Sequence, residues 1–304
     1  MTFQQFKQHA IKELTSSPSA ALDADVLLQH FTNKDKTYIL FHRDEELTDE
    51  QKTVLKEAIE KRKTGLPVAY ITGHKEFYGY DFFVTPDVLI PKPDTEILVE
   101  NAIKFIKEKT EEKKRALKVL DLCTGSGCIA VSILKFLKEE KIITTELLPD
   151  FILADISVNA LKIAEKNSER LLSDSAKKIK FIETNLFNSI NEKFDIIVSN
   201  PPYVPALETD ELLKDGRSEP RLALDGDVNT DGSPSRTTDG LELIRNLIIQ
   251  SKAHFTKDGI LILETGEYNA EKTESFMKQN GFSQTKLYKD LEGQLRNVSG
   301  IFNG

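Results

Sequence analysis

Val119-Leu120-Asp121-Leu122-Cys123-Thr124-Gly125-Ser126-Gly127-Cys128-Ile129-Ala130 is the stretch on which the fold turns. A strand-like apolar run enters a glycine turn, and the turn opens a helix. Glycines there let backbone N–H groups approach a ligand, and the helix N-terminus favours an anionic group. The spacing Gly125-x-Gly127-x-x-Ala130 fits NAD, FAD and S-adenosylmethionine equally, and it also fits a purely structural strand–helix turn.

Outward from this turn, compact apolar runs at residues 117–123, 151–156, 179–183, 195–199 and 260–264 alternate with helical stretches near 128–137, 158–170 and 241–254. Uninterrupted apolar runs suit strands covered on both faces. The alternation predicts an α/β, doubly wound, mostly parallel sheet with right-handed crossovers. Residues 285–291 and 295–302, around Glu292-Gly293-Gln294, predict a C-terminal antiparallel hairpin. Residues 225–240, rich in Asp, Gly, Ser and Thr, read as a mobile surface loop.

Upstream the pattern is helical. Thr2 is placed to cap a helix carrying Phe3, Phe6, Ala10, Ile11 and Leu14, and a second helix is expected over residues 19–31. Thr48-Asp49-Glu50-Gln51 forms a capping box for a third, which Gly65-Leu66-Pro67 stops. This predicts a helical domain over residues 1–75. Residues 77–84 and 88–91, around Thr85-Pro86-Asp87, predict a β-hairpin linker over 76–93. A helix is expected from about residue 95 to 105, then a charged soluble run at 107–115, with the main domain filling 94–304.

The 304 residues carry a formal charge of −8, with 39% hydrophobic and 30% charged residues, an ordinary globular mixture. No run approaches the roughly 18 apolar residues of a membrane helix, and Met1-Thr2-Phe3-Gln4-Gln5-Phe6 is unlike a secretory signal. A cytoplasmic protein without membrane attachment is expected. The pI of about 5.4 argues against a stable grip on nucleic acid by phosphate neutralisation. Two cysteines four residues apart and five scattered histidines offer no metal-binding pattern, so no metal is expected.

Two further positions carry chemistry. Asp155, ending the second run, is placed either to accept hydrogen bonds from a ribose diol or to cap the next helix. The fourth run ends in Ser199-Asn200-Pro201-Pro202-Tyr203. Two prolines after a buried strand stiffen the backbone and remove two N–H donors. They leave carbonyls, an amide and a ring together at the sheet edge. A planar NH2 group suits this arrangement, its hydrogens going to the Asn200 side-chain oxygen and the Pro201 carbonyl while Tyr203 stacks on its face.

At this point the chain resembles the S-adenosylmethionine-dependent methyltransferases that act on planar nitrogens, and within them the HemK/PrmC peptide chain release factor glutamine methyltransferases. Besides Asn200-Pro201-Pro202-Tyr203, the resemblance rests on Gly65-Leu66-Pro67-Val68-Ala69-Tyr70-Ile71-Thr72-Gly73, Leu89-Ile90-Pro91-Lys92-Pro93-Asp94-Thr95-Glu96, Glu219-Pro220-Arg221-Leu222-Ala223-Leu224-Asp225-Gly226 and Arg296-Asn297-Val298-Ser299-Gly300. It implies a class I, Rossmann-like methyltransferase fold with a seven-stranded sheet and an N-terminal substrate-docking domain. It also implies methyl transfer from S-adenosylmethionine to the N5 amide of the glutamine in a Gly-Gly-Gln segment of a release factor. Asn200, Pro201, Pro202 and Tyr203 would be catalytic, and Cys123, Thr124, Gly125, Ser126, Gly127, Asp155, Asn185, Leu186 and Asn200 would hold the cofactor. From their position and composition, residues 208–239 are expected to close over the peptide.

Four places depart from the family pattern. Cys123 stands where glycine is usual, Lys92 where arginine is usual and Asn185 where a carboxylate is usual, and residues 227–238 look inserted. Alternative readings are a ribosomal-protein glutamine methyltransferase, a DNA adenine-N6 methyltransferase, a nicotinamide enzyme, and a methyltransferase fold serving only to bind.

Overall fold

A computed structural model describes residues 1–214 and 219–304. The chain divides into two units, one of Met1–His74 with the described residues of Glu211–Ser218, the other of Lys75–Asp210 and Glu219–Gly304.

In the first unit, helices α1 (Phe3–Glu13), α2 (Ala20–Thr32), α3 (Lys36–Phe41), α4 (Asp49–Lys63) and α5 (Val68–Thr72) surround their own core. Thr2 and Thr48 each form a capping box with the glutamine three residues on. Phe3, Phe6, Leu14, Leu27, Leu28 and Leu55 are almost fully buried together. Asp23 is buried beside Arg62 at 2.7 Å and accepts from the hydroxyls of Ser17 and Ser19.

From Lys75 the second unit opens on a hairpin of β1 (His74–Phe77), whose first residue ends the first unit, and β2 (Tyr80–Phe83). Its turn is Tyr78-Gly79, not Pro86-Asp87 as the sequence suggested, and residues 88–91 form no strand. Both turn residues have positive φ, 53° and 75°, as a two-residue hairpin turn with the right twist requires. Tyr78 is held there because its N–H donates to Glu96, while the Gly79 N–H donates to Glu76. Phe77 and Phe82 are buried in the core of this unit.

The main sheet follows. After α6 (Glu96–Lys113) come β3 (Lys118–Leu122), α7 (Cys128–Glu139), β4 (Asp150–Asp155), α8 (Val158–Leu172), β5 (Ile179–Glu183), β6 (Phe194–Ser199), α9 (Ala206–Leu213), α10 (Glu242–Ser251), β7 (Phe255–Glu264), α11 (Ala270–Gln279), β8 (Phe282–Lys289) and β9 (Leu295–Phe302). The strand order is β5-β4-β3-β6-β7-β9-β8. β3 to β7 pair in parallel, and β9 joins β7 and β8 antiparallel. The charged run at 107–115 is largely the end of α6, because Ile106, Lys109 and Thr110 continue its buried stripe. α11 was not foreseen; its apolar content reduces to Ala270, Phe276 and Met277 among charged residues.

Alternate residues of the strands serve opposite faces. Val119, Ile196, Val198, Ile260 and Ile262 pack with α6, α7 and α8, whereas Leu120, Leu122, Ile197, Leu261 and Leu263 pack with α10 and α11. The chain runs from β3 outward to β5 and returns on the other side of β3 as β6. The carboxyl ends of β3 and β6 therefore flank the crevice where such sheets bind ligands.

Candidate active site

That crevice is a cavity bordered by Cys123, Thr124, Gly125, Ser126, Asp155, Asn185, Leu186, Asn200 and Pro202. Three residues expected there do not border it. Gly127 lies behind the turn at φ 77°, where a Cβ would stand 3.1 Å from that of Ala164; it lets α7 and α8 approach. Pro201 and Tyr203 also stay off the cavity wall. The Tyr203 ring packs partly buried against the core, and its hydroxyl donates to Glu264 Oε1 at 3.3 Å.

The glycine turn is stapled from beneath. Asp121, fully buried in β3, accepts from the Thr124 hydroxyl at 2.8 Å and from the Ala130 N–H at 3.3 Å. Burial pushes its pKa up to about 7 despite those bonds. Asp155 accepts the Gly125 N–H at 2.9 Å through one oxygen and the Ser157 N–H at 2.9 Å through the other. Burial raises its pKa, and these backbone donors oppose the rise. The cap of α8 is Ser157, whose hydroxyl accepts from the Ala160 N–H. Each Asp155 oxygen retains a lone pair for a hydroxyl in the cavity. Cys123 holds φ 59°, a strained conformation for a residue with a Cβ. Burial raises the pKa of both thiols, that of Cys128 to about 12, so neither is a thiolate near neutrality.

Asn200 is oriented by Thr95, which the sequence reading did not assign to the site. Asn200 Nδ2 donates to Thr95 Oγ1 at 3.1 Å, which leaves Asn200 Oδ1 as an acceptor. Thr95 is buried just before α6, and the Leu89-Ile90-Pro91-Lys92-Pro93 segment leading to it borders the cavity through Leu89, Pro91 and Lys92. Lys92 meets the buried Glu219 carboxylate at 2.7 Å, a single contact in place of an arginine fork.

The stretch expected to be a free loop is anchored at its base. Asp225 and Asp227 are buried, and Asp227 accepts from the N–H groups of Ala206 and Gly240. Gly226 and Gly240 lie so close to the Tyr203 backbone that a Cβ on either would clash with main-chain atoms. Val228, Asn229 and Gly232 border the cavity, and Asn185 Nδ2 donates to the Thr230 carbonyl. Of residues 208–239, positions 215–218 lie outside the described residues. Among the described residues, no group of three or more His, Cys, Asp or Glu side chains is arranged to hold a metal, and no helix is long and apolar enough to cross a membrane.

A sheet of this order with a glycine turn after β3 and an Asn-Pro-Pro-Tyr edge after β6 defines a methyltransferase-like α/β protein. A methyltransferase structure from Pyrococcus furiosus shares this fold, with a TM-score of 0.50 at 16% identity, covering 84% of this chain and 100% of that one. The PrmC N-terminal domain family matches residues 5–73, and the Methyltransferase small domain family matches residues 97–218. The release factor glutamine methyltransferase of Salmonella typhimurium is 32% identical over 99% of both chains, and that of Leptospira interrogans is 37% identical over 92% of this chain and 91% of its own. The chain belongs to the release factor glutamine methyltransferase family.

Proposed function

We propose that the cavity holds S-adenosylmethionine beside Asn200 and that Asn200 receives the side-chain amide of a release factor glutamine for N5 methylation. The cavity suits the cofactor. The first turn of α7, at Cys128 and Ile129, borders it and offers N–H groups to a carboxylate. Asp155 keeps lone pairs for a ribose diol, and Ile156, Leu186 and Leu243 supply apolar surface for a base beside the Asn185 amide.

The cofactor supplies an electrophilic methyl on a sulfonium. The chain's task is to make a poor nucleophile react, because the amide lone pair is delocalised into its carbonyl. Asn200, which borders the cavity, accepts an amide hydrogen at Oδ1, holds the nitrogen in line, and stabilises the positive charge that develops on it. Water takes the proton from the methylated nitrogen, so no strong side-chain base is needed. The Asn200–Thr95 hydrogen bond carries this reading, because it commits the NH2 of Asn200 elsewhere and leaves its oxygen to the substrate. The helical unit is read as the docking surface for the release factor.

Mass spectrometry of a co-expressed release factor should find one added methyl on the Gly-Gly-Gln peptide. With purified enzyme, Asn200→Ala should lower radiolabel transfer by about a hundredfold or more while calorimetry shows near-unchanged cofactor affinity. Near-normal transfer would remove Asn200 from the chemistry.

A further inference from the structure

Beneath the acceptor end of the cavity, three buried polar atoms have no partner among the described residues. They are Glu264 Oε2 and both side-chain polar atoms of Asn297, the residue opposite Glu264 in the β7–β9 ladder. An unpaired carboxylate oxygen in an interior is costly and calls for an explanation. Glu264 ends β7, one step beyond the Ser199↔Leu263 pair, which puts it beside Asn200. Its other oxygen accepts the Tyr203 hydroxyl. The Thr95 hydroxyl draws the carboxyl's pKa down against the effect of burial. That hydroxyl accepts from Asn200 Nδ2 and has one proton of its own, which no other described acceptor receives.

We infer that Glu264 and Thr95 are positioning residues that act on the substrate through Asn200. The Glu264 carboxylate receives the Thr95 proton, the Thr95 oxygen holds Asn200 Nδ2, and Asn200 Oδ1 is thereby aimed at the substrate amide and made more negative. Hydrogen bonds in series polarise one another, and donation from an amide nitrogen builds charge on its oxygen. No proton moves along the relay; its effect is to strengthen an acceptor where positive charge develops. Tyr203 is then the second donor that keeps the carboxylate ionised. The inference rests on Asn200 Oδ1 being the acceptor for the substrate.

The relay requires Glu264 ionised, and burial pushes its pKa up to about 7. The other titratable or charged groups facing it are Tyr203, Asp94, Arg296 and the Cys128 thiol. Burial holds the Tyr203 phenol well above its ordinary range and the Cys128 thiol at about 12, while Arg296 stays charged and pairs with Asp94 at 3.3 Å.

The test is single-turnover methyl transfer to a recombinant bacterial release factor at saturating S-adenosylmethionine, followed across pH. S-adenosylhomocysteine affinity and thermal midpoint are measured on the same samples. The wild-type rate should fall about tenfold per pH unit below about 7. Glu264→Gln should abolish that acid limb and lower the plateau by about tenfold. Thr95→Val should lower kcat by about a hundredfold at unchanged KM and homocysteine affinity, and Thr95→Ser should keep the rate within about threefold. If Thr95→Val folds poorly, the near-isosteric Glu264→Gln carries the test alone. A Glu264→Gln enzyme with the wild-type acid limb, or a folded Thr95→Val enzyme with wild-type kcat, overturns the relay. Failure of the underlying reading is distinguishable, because then Asn200→Ala itself would keep the wild-type rate and the relay would fall with it.

Discussion

At the start of β6 the buried Asp195 carboxylate accepts from both Arg115 nitrogens at 2.8 Å, from Lys113 at 2.6 Å, from the Thr256 hydroxyl and from the Lys118 N–H. Just past the other end of the same strand, the residues around Asn200 include a carboxylate with one oxygen, and an asparagine with both side-chain polar atoms, unpaired among the described residues. Burial alone would raise the pKa of Asp195, yet its cationic and backbone donors hold it well below the usual carboxylate range. Burial wins at Glu264. One end of the strand is saturated and serves stability. The other is left short of partners, as a site that must offer acceptors to a substrate would be.

Asp195→Ala should give the largest effect. It removes the shared acceptor of Lys113, the half-exposed Arg115, the Thr256 hydroxyl and the Lys118 N–H, and about 3–5 kcal/mol of unfolding free energy should be lost, read by urea denaturation, with kcat retained at low temperature. The sign with pH follows from the depressed pKa. The Asp195 contribution is complete above the unfolded carboxylate value of about 4 and is lost as pH falls through the folded one, so the variant should differ least from wild type in strong acid. Asn200→Ala is the mirror case. It should raise the barrier to transfer by a few kcal/mol while costing about 1 kcal/mol or less of stability, since it breaks one side-chain hydrogen bond. A large stability loss there would erase the contrast between the two ends.

Asp155→Ala lies between these extremes, because its carboxylate both ties the glycine turn and faces the cavity. Cofactor affinity should fall by roughly 1–3 kcal/mol in calorimetry, and an unchanged value would reduce Asp155 to a brace for the turn. Cys123→Gly should be smallest. Relief of the left-handed strain outweighs the added freedom of the unfolded chain, and unfolding free energy should rise by about 0.5 kcal/mol, visible as a small increase in Tm. A drop would show that the side chain's packing matters more than its backbone strain.

The parallel sheet, its crossover helices, the capped N-terminal helices, the glycine turn and Asn200 were legible in the chain because each is written in local periodicity or in a short run of residues. The hairpin turn at Tyr78-Gly79 was not, since a tyrosine at positive φ carries no local signal and is held there by Glu96, eighteen residues away. Nor could local sequence show that Gly127 packs helices rather than lining the cavity, that Tyr203 turns inward to Glu264, or that residues 227–238 reach Asn185. Thr95 and Glu264 lie far apart in the chain on either side of Asn200; Glu264 comes beside Asn200 because β6 and β7 align in parallel, and Thr95 through its hydrogen bond to Asn200. Sequence alone determined which groups exist and which elements carry them. Tertiary structure decided which of their lone pairs are already spent, because hydrogen-bond satisfaction depends on neighbours brought close by the sheet and not on neighbours in the chain.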